Sequence, residues 1–416
     1  MRTEDHTEAP ARNALRAVPP PRGPLVGAIT RRVILRALGM IRDGGVVVVL
    51  PDGRVERFGD ASGSEWRTLT VVRDDLFRRL GLRGRIGFGE AYVAGDWETD
   101  DLAGLLGQLG RNIEIARARQ PMRTLVHTSR IRARLPRLPT RERAERHIHY
   151  HYDIGNDLYR LFLDESLTYS CAVFEHPGQS LADAQQAKYR RIADAVELEP
   201  DDHVLEIGCG WGSFAIHAAR ERGCRVTGVT ISREQHDLAR ARVADAGLSD
   251  RVEIVYRDYR ELEGSFSKIV SIEMFEAIGE SQFDTYFRTL DRLLAPGGRA
   301  CVQSIAIPDH RYATYRRTRD FIQTYVFPGS HIPSLQAMTA AIARSSGFAI
   351  VAVDEIGGHY AETLRQWRET FLARQDEVRA LGYGDRFVRT WEFYLAFCEA
   401  GFRERLLHDV QVVLAR

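Results

Sequence analysis

Three glycines at alternate positions, Gly208, Gly210 and Gly212, follow the short apolar run Val204-Leu205-Glu206-Ile207, and Ser213-Phe214-Ala215-Ile216-His217-Ala218-Ala219 then resumes at helical spacing. The apolar run is too short for a buried helix and suits a buried parallel strand. Glycines spaced in this way let a backbone turn sharply and approach a ligand with no Cβ in between. The chemistry they allow is the cradling of a nucleotide-like molecule at a strand-to-helix turn, with the Glu206 carboxylate beside it. The spacing is G-x-G-x-G, tighter than the G-x-G-x-x-G of dinucleotide sites. A second concentration of titratable and aromatic side chains runs from His149 to Tyr159 and again from Tyr169 to Phe174, a composition that suits the lining of a site better than a core.

The elements that must position these residues alternate along the chain. After the glycine turn, residues 225–232 read as a strand, 234–246 as a helix, 252–255 as a strand ending at Asp258-Tyr259, and 269–276 as a fourth strand. Residues 283–294 then read as a helix, Pro296-Gly297-Gly298 as a turn and 300–305 as a fifth strand. Such βαβ alternation predicts an α/β fold with a doubly wound, parallel Rossmann-type sheet. Ligands of these sheets sit at the carboxyl ends of the strands, where Glu206, Thr230, Asp258, Glu276 and Gln303 all fall. The second strand ends in Thr230-Ile231-Ser232, with no acidic residue for a ribose, which argues against a generic dinucleotide site.

Upstream, residues 1–24 are rich in proline and small or charged residues and are expected to be a disordered tail. Residues 25–119 read as a small α+β domain. It has a helix over 31–41, a hairpin of 44–50 and 54–58 around Pro51-Asp52-Gly53, a strand over 66–72, a helix over 74–80, and a glycine-rich stretch from Gly87 to Trp97. Residues 120–146 form a basic linker, with Arg123, Arg130, Arg132, Arg134, Arg137, Arg141, Arg143 and Arg146. It is either solvated or an electrostatic foot for anionic lipid. Residues 147–416 form the α/β domain.

The 416 residues carry a net charge of only +1, so no whole-molecule field favours a polyanion, and no nucleic-acid-binding module accompanies the basic segment. Five scattered cysteines without metal spacing predict a reduced protein with no metal site. No stretch has the roughly 20 apolar residues of a membrane span, and the first residues lack the apolar core of a signal peptide. A cytoplasmic protein is expected.

The glycine turn with Glu206 ahead of it resembles the S-adenosylmethionine loop of Rossmann-type methyltransferases. Five motifs together resemble the cyclopropane fatty acyl phospholipid synthase family: His151-Tyr152-Asp153-Ile154-Gly155-Asn156-Asp157, Tyr169-Ser170-Cys171-Ala172, the run 205–212, Gly228-Val229-Thr230-Ile231-Ser232 and Met274-Phe275-Glu276. Gly89 to Trp97 resembles that family's N-terminal lipid-binding domain. The resemblance implies a C-methyltransferase that acts on the cis double bond of unsaturated phospholipid acyl chains and gives a cyclopropane or a 10-methylene chain, the precursor of a methyl branch. It implies that Tyr169, Ser170, Glu206, Gly208, Gly210, Gly212, Thr230, Ile231, Gln235, Asp258 and Tyr259 form the donor site. It further implies a homodimer at the inner membrane surface and, for methyl branching, a separate reductase partner.

An alkene is a weak nucleophile, and its methylation leaves a carbocation that water would quench, so aromatic faces such as Tyr169, Phe174, Phe275 and Tyr394 suit a dry pocket that tolerates positive charge. The family resemblance implies a bicarbonate as the base that then removes a proton. Cys171, Glu276, Ile305 and Tyr394 match its ligands, while Gln303 stands where the family has histidine. Glutamine donates hydrogen bonds but neither carries charge nor accepts a proton near neutrality. Bicarbonate is then held more weakly or another base acts, with Glu145, His147 and Glu276 as candidates. Other readings are a methyltransferase for a soluble natural product and a non-catalytic binder of lipid or donor. Taken singly, Cys171 would suit a core, Tyr394 a helix interior and Glu276 a turn.

Overall fold

The computed structural model describes residues 24–59, 65–119 and 155–416. The expected tail before residue 24, the basic linker, Glu145, His147 and the His151 to Ile154 part of the first motif lie outside the described residues.

The N-terminal part holds α1 (Pro24–Leu38), β1 (Gly45–Val49), β2 (Val55–Gly59), β3 (Trp66–Val71), α2 (Asp75–Val93), β4 (Trp97–Glu98) and α3 (Leu102–Arg119). Its sheet runs β2-β1-β3-β4, with the β1–β2 hairpin antiparallel about Pro51-Asp52-Gly53 and β1 parallel to β3. The glycine-rich stretch is helical. α2 kinks at Gly84, whose φ of 54° lies outside the helical region, and then continues to Val93. The reason is close packing: a Cβ on Gly89 would lie 2.5 Å from Phe321 and 2.8 Å from Phe393. Beyond the helix, buried Asp96 receives Arg73 Nε and Arg79 Nε, each at 2.8 Å, and Trp97 is fully buried with its indole N–H on the Phe88 carbonyl.

The larger part holds α4 (Asn156–Phe162), α5 (Leu181–Ala195), β5 (His203–Ile207), α6 (Ser213–Arg222), β6 (Arg225–Thr230), α7 (Arg233–Asp245), β7 (Val252–Tyr256), β8 (Phe266–Ile272), α8 (Phe283–Leu293) and β9 (Leu294–Ala306). There follow α9 (Asp309–Tyr315), α10 (Phe321–Tyr325), α11 (Leu335–Ser345), β10 (Ala349–Glu355), α12 (Gly357–Ala373), α13 (Gln375–Ala380), α14 (Asp385–Arg403) and β11 (His408–Ala415). The sheet order is β10-β11-β9-β8-β5-β6-β7. The five adjacent strands β9-β8-β5-β6-β7 are parallel as the βαβ alternation predicts, and β11 enters antiparallel between β9 and β10. The chain leaves β5 toward β6 on one side and later returns to β8 on the other, which makes the end of β5 the switch point where ligands of such sheets bind.

One expected element ends early. β8 stops at Ile272, Glu273 takes a φ of 50°, and Phe275–Ala277 forms a short 3-10 turn, so Met274 to Glu276 leave the strand for the loop above it. The two parts share one hydrophobic core. It includes Val46, Leu69 and Trp97 from the first and Trp367, Trp391 and Phe402 from the second. Arg111 bridges Asp43 and Glu404 at 2.6 and 2.7 Å, and Arg389 donates to the Tyr92 carbonyl at 2.8 Å.

Candidate active site

The glycine turn is built from β5 outward. Gly208 and Cys209 both donate their N–H to the Val229 carbonyl, at 2.9 and 3.0 Å, which pins the turn to the neighbouring strand β6. Gly208 has a φ of 79°, and a Cβ there would lie 2.8 Å from Met274, so only glycine fits this point. Trp211 is held from two sides: its indole N–H donates to Asn156 Oδ1 at 2.8 Å, and its carbonyl accepts from Arg242 at 2.6 Å.

A pocket opens above this turn. Tyr169, Ser170, Glu206, Gly208, Gly210, Thr230, Ile231, Gln235, Asp258 and Tyr259 line it, as the resemblance implies. Gly212 is the exception. It stands one step below, as the left-handed N-cap of α6, packed toward Ala239. At the end of β6, Thr230 Oγ1 donates to Gln235 Oε1 at 2.8 Å and Ser232 caps α7, so the polar groups replacing a ribose acid are fixed in place. The Asp258 carboxylate is held by Arg260 and caps the turn after β7.

Glu206 is almost wholly buried, and burial pushes its carboxyl up to about 8, offset in part by the Ala215 N–H and the charge of Lys188. Its Oε2 has no hydrogen-bond partner among the described residues. A buried carboxylate oxygen left open at the edge of a glycine cradle fits a cationic, amine-bearing ligand. Lys188, fully buried on α5, donates to Ser170 Oγ at 2.6 Å, and burial lowers it to about 8.

Tyr169 of the pocket lining shares a hydrogen bond at 2.7 Å with the hydroxyl of Tyr394, which does not itself line the pocket. Tyr169 lies against Trp367 at 5.2 Å and Tyr159 at 5.0 Å between ring centroids, and Tyr394 against Trp391 at 5.2 Å and Phe327 at 5.7 Å. Two other aromatics proposed for this pocket stand elsewhere. Phe275 is buried against Phe283, Tyr286 and Phe287 of α8, and Phe174 bonds through its N–H to His359, outside the pocket lining.

The residues matched to a bicarbonate seat, and Gln303 at the histidine position, are already engaged in hydrogen bonds within the protein. Cys171 N–H donates to Glu273 Oε1 at 2.7 Å. Gln303, fully buried, donates from Nε2 to Glu273 Oε1 at 2.9 Å and to Asp409 Oδ2 at 3.0 Å, while its Oε1 accepts from Gln411 at 3.1 Å. The reverse amide orientation would point its oxygen at two carboxylates. Ile305 N–H donates to Glu276 Oε1, and burial, followed by the charge of Glu273, pushes Glu276 up to about 8. Neither Glu276 nor Gln303 lines the donor pocket. The donors a bound bicarbonate needs are therefore taken, and the residues do not fit that group.

Glu273 completes this network and does line the pocket. Its Oε2 accepts from the Tyr360 hydroxyl at 2.6 Å. Burial raises its carboxyl, opposed by Tyr360, the Cys171 N–H and Lys188; the charge of Glu273, added to burial, raises Asp409 further. The left-handed backbone of Glu273 costs a non-glycine residue about 1 kcal/mol or more, a strain concentrated at functional sites. Sequence reasoning placed Glu273 inside a strand and missed Tyr360, Lys188 and Asp409.

Residues 140–412 match the family model described as mycolic acid cyclopropane synthetase. The chain is 40% identical over 411 residues to a tuberculostearic acid methyltransferase of Mycobacterium tuberculosis, covering 95% of this chain and 93% of that protein. It is 37% identical over 367 residues to the cyclopropane-fatty-acyl-phospholipid synthase of Escherichia coli, covering 85% and 89%. Among solved structures it is similar to the cyclopropane synthase MmaA2 of Mycobacterium tuberculosis, with a TM-score of 0.62 at 27% identity over 65% of this chain and 98% of that one. It is also similar to the mycolic acid cyclopropane synthase CmaA1 complexed with SAH and CTAB, with a TM-score of 0.61 at 28% identity over the same shares.

Proposed function

The chain belongs to the mycolic acid cyclopropane synthetase family and is an S-adenosylmethionine-dependent methyltransferase of fatty acyl chains; from that premise we propose that it methylates the cis double bond of unsaturated phospholipid acyl chains, and that its product is a methylene chain, the precursor of a methyl branch. The observation that carries this reading is the meeting of the donor cradle with an aromatic wall. Tyr169 belongs to both, since it lines the pocket and its hydroxyl meets that of Tyr394.

S-adenosylmethionine, when bound, supplies an electrophilic methyl on a sulfonium centre. Gly208 and Gly210 give the backbone approach it needs, Glu206 an open carboxylate oxygen, and Thr230, Gln235 and Asp258 a polar end. The aromatic wall serves the acceptor. Tyr169 lines the pocket and is backed by the buried rings of Trp367, Tyr394 and Trp391, an aromatic cluster that suits a cation on the acyl chain without attacking it. Similarity to the tuberculostearic acid methyltransferase over 95% of the chain supports the methyl-branching product over the ring.

Access from a phospholipid surface is supported by α1 and the residues after it. Ile29, Val33 and Met40 are 68%, 58% and 55% exposed, and Arg32 and Arg36 are exposed beside them. An apolar stripe flanked by arginines suits the interface of an anionic bilayer. Among the described residues no helix is long and apolar enough to cross a membrane.

The test is incubation with methyl-labelled S-adenosylmethionine and oleoyl phospholipid vesicles, followed by fatty acid analysis. Label in the acyl chains as a methylene carbon is expected. Donor binding without label in any acyl chain contradicts the reading.

A further inference from the structure

Three parts of the fold aim a hydrogen at one carboxylate. Cys171 N–H and Gln303 Nε2 converge on Glu273 Oε1 at 2.7 and 2.9 Å, and the Tyr360 hydroxyl meets Oε2 at 2.6 Å. The O–C–O group of a glutamate is the same planar acceptor that a bicarbonate would present. Its donors here include Cys171, which matches a bicarbonate ligand, and Gln303, which stands at the histidine position, while a second matching residue, Ile305, is occupied by Glu276. Of the three carboxylates in this cluster, Glu276 and Asp409 are buried and Glu273 alone lines the donor pocket.

We propose that the Glu273 carboxylate is the proton acceptor of the reaction, standing as part of the chain in the place that the family resemblance gives to bicarbonate; this rests on the acyl methylation reading above. Once the added carbon is bonded to one alkene carbon and a hydride shift has moved the cation to the carbon that bears it, one C–H bond of the added carbon breaks. Its electron pair becomes the C=C of the methylene group, and the proton passes to a Glu273 oxygen. Cation and carboxylate become neutral alkene and carboxylic acid, which releases its proton to solvent after the product leaves. No exogenous anion is needed.

The proposal is tested by pairing Glu273→Gly, whose glycine suits the left-handed backbone, with chemical rescue. The parent is expected to turn over equally in bicarbonate-free and bicarbonate-supplemented buffer. Glu273→Gly is expected to lose at least 100-fold in kcat, the order of a lost general base, and to regain at least tenfold with added bicarbonate or formate, with SAH affinity within threefold of the parent. Glu273→Gln, which fills the same space, is expected to lose activity without rescue, and it replaces the glycine variant if that one does not fold. A parent that needs bicarbonate, or a Glu273→Gln variant within twofold of the parent, overturns the proposal. Bicarbonate titration of the SAH complex reads independently of turnover: binding to Glu273→Gly but not to the parent is expected. Binding to the parent overturns the proposal even where the acyl substrate proves different.

Discussion

The Tyr360 hydroxyl on the first turn of α12 donates at 2.6 Å to Glu273 at the end of β8, across 87 residues of chain. A donor to an ionised carboxylate stabilises the charged form and lowers its pKa. Removing it has the opposite sign, so the acidic limb of a pH–rate profile must move to higher pH.

Tyr360→Phe therefore tests the proton acceptor without touching it. The expected outcome is a fall of about tenfold in kcat near neutrality and an upward shift of the acidic limb by about one unit, consistent with a lost hydrogen bond to a charged group. The pH dependence of kcat checks both. An unmoved limb would separate Glu273 from the titrating step.

Glu276 stands three residues on and plays a different part. Burial and the neighbouring charge of Glu273 push it up to about 8, so it is mostly protonated at pH 7, and its Oε1 receives the Ile305 N–H. Glu276→Gln keeps that acceptor and is expected to hold kcat within about fivefold. Glu276→Ala leaves a buried N–H without a partner and is expected to cost about 1–3 kcal/mol. Activity and urea unfolding measured on both variants check this; a 100-fold loss in the glutamine variant would return Glu276 to the catalytic step.

Glu206 links donor binding to pH. Its carboxyl, raised by burial to about 8, is mostly protonated at pH 7 in the donor-free protein. A cationic ligand favours the ionised form, so binding below pH 8 releases a proton and weakens as pH falls, by up to tenfold per unit. Calorimetric titration in buffers of different ionisation enthalpy measures that proton. Glu206→Gln is expected to abolish its release and flatten the pH dependence.

What was legible in the sequence was local. The glycine turn, the five parallel strands and the pocket residues at their ends were readable because hydrophobic runs and glycine spacing are written in neighbouring residues. The final sheet pair was not read, since β10 carries exposed Ile350, Val351 and Val353 and lacks the alternation of a half-buried strand. Gly87 to Val93 did not read as a helix because Gly89 answers to Phe321 and Phe393, more than two hundred residues away, and Gly87 to the backbone of Arg79 and Leu80 across the kink. Glu273 was hidden for both reasons. A non-glycine left-handed residue leaves no sequence signal, and its partners Cys171, Gln303 and Tyr360 meet only in the folded chain.

The most direct test of the central claim follows the hydrogens of the donor's methyl group. With trideuteromethyl S-adenosylmethionine and oleoyl phospholipid vesicles, mass spectrometry of the acyl chains is expected to show one added carbon that retains two of its three deuterons, present as an exocyclic methylene. An added carbon that keeps all three, or no added carbon in the acyl chains, would contradict it.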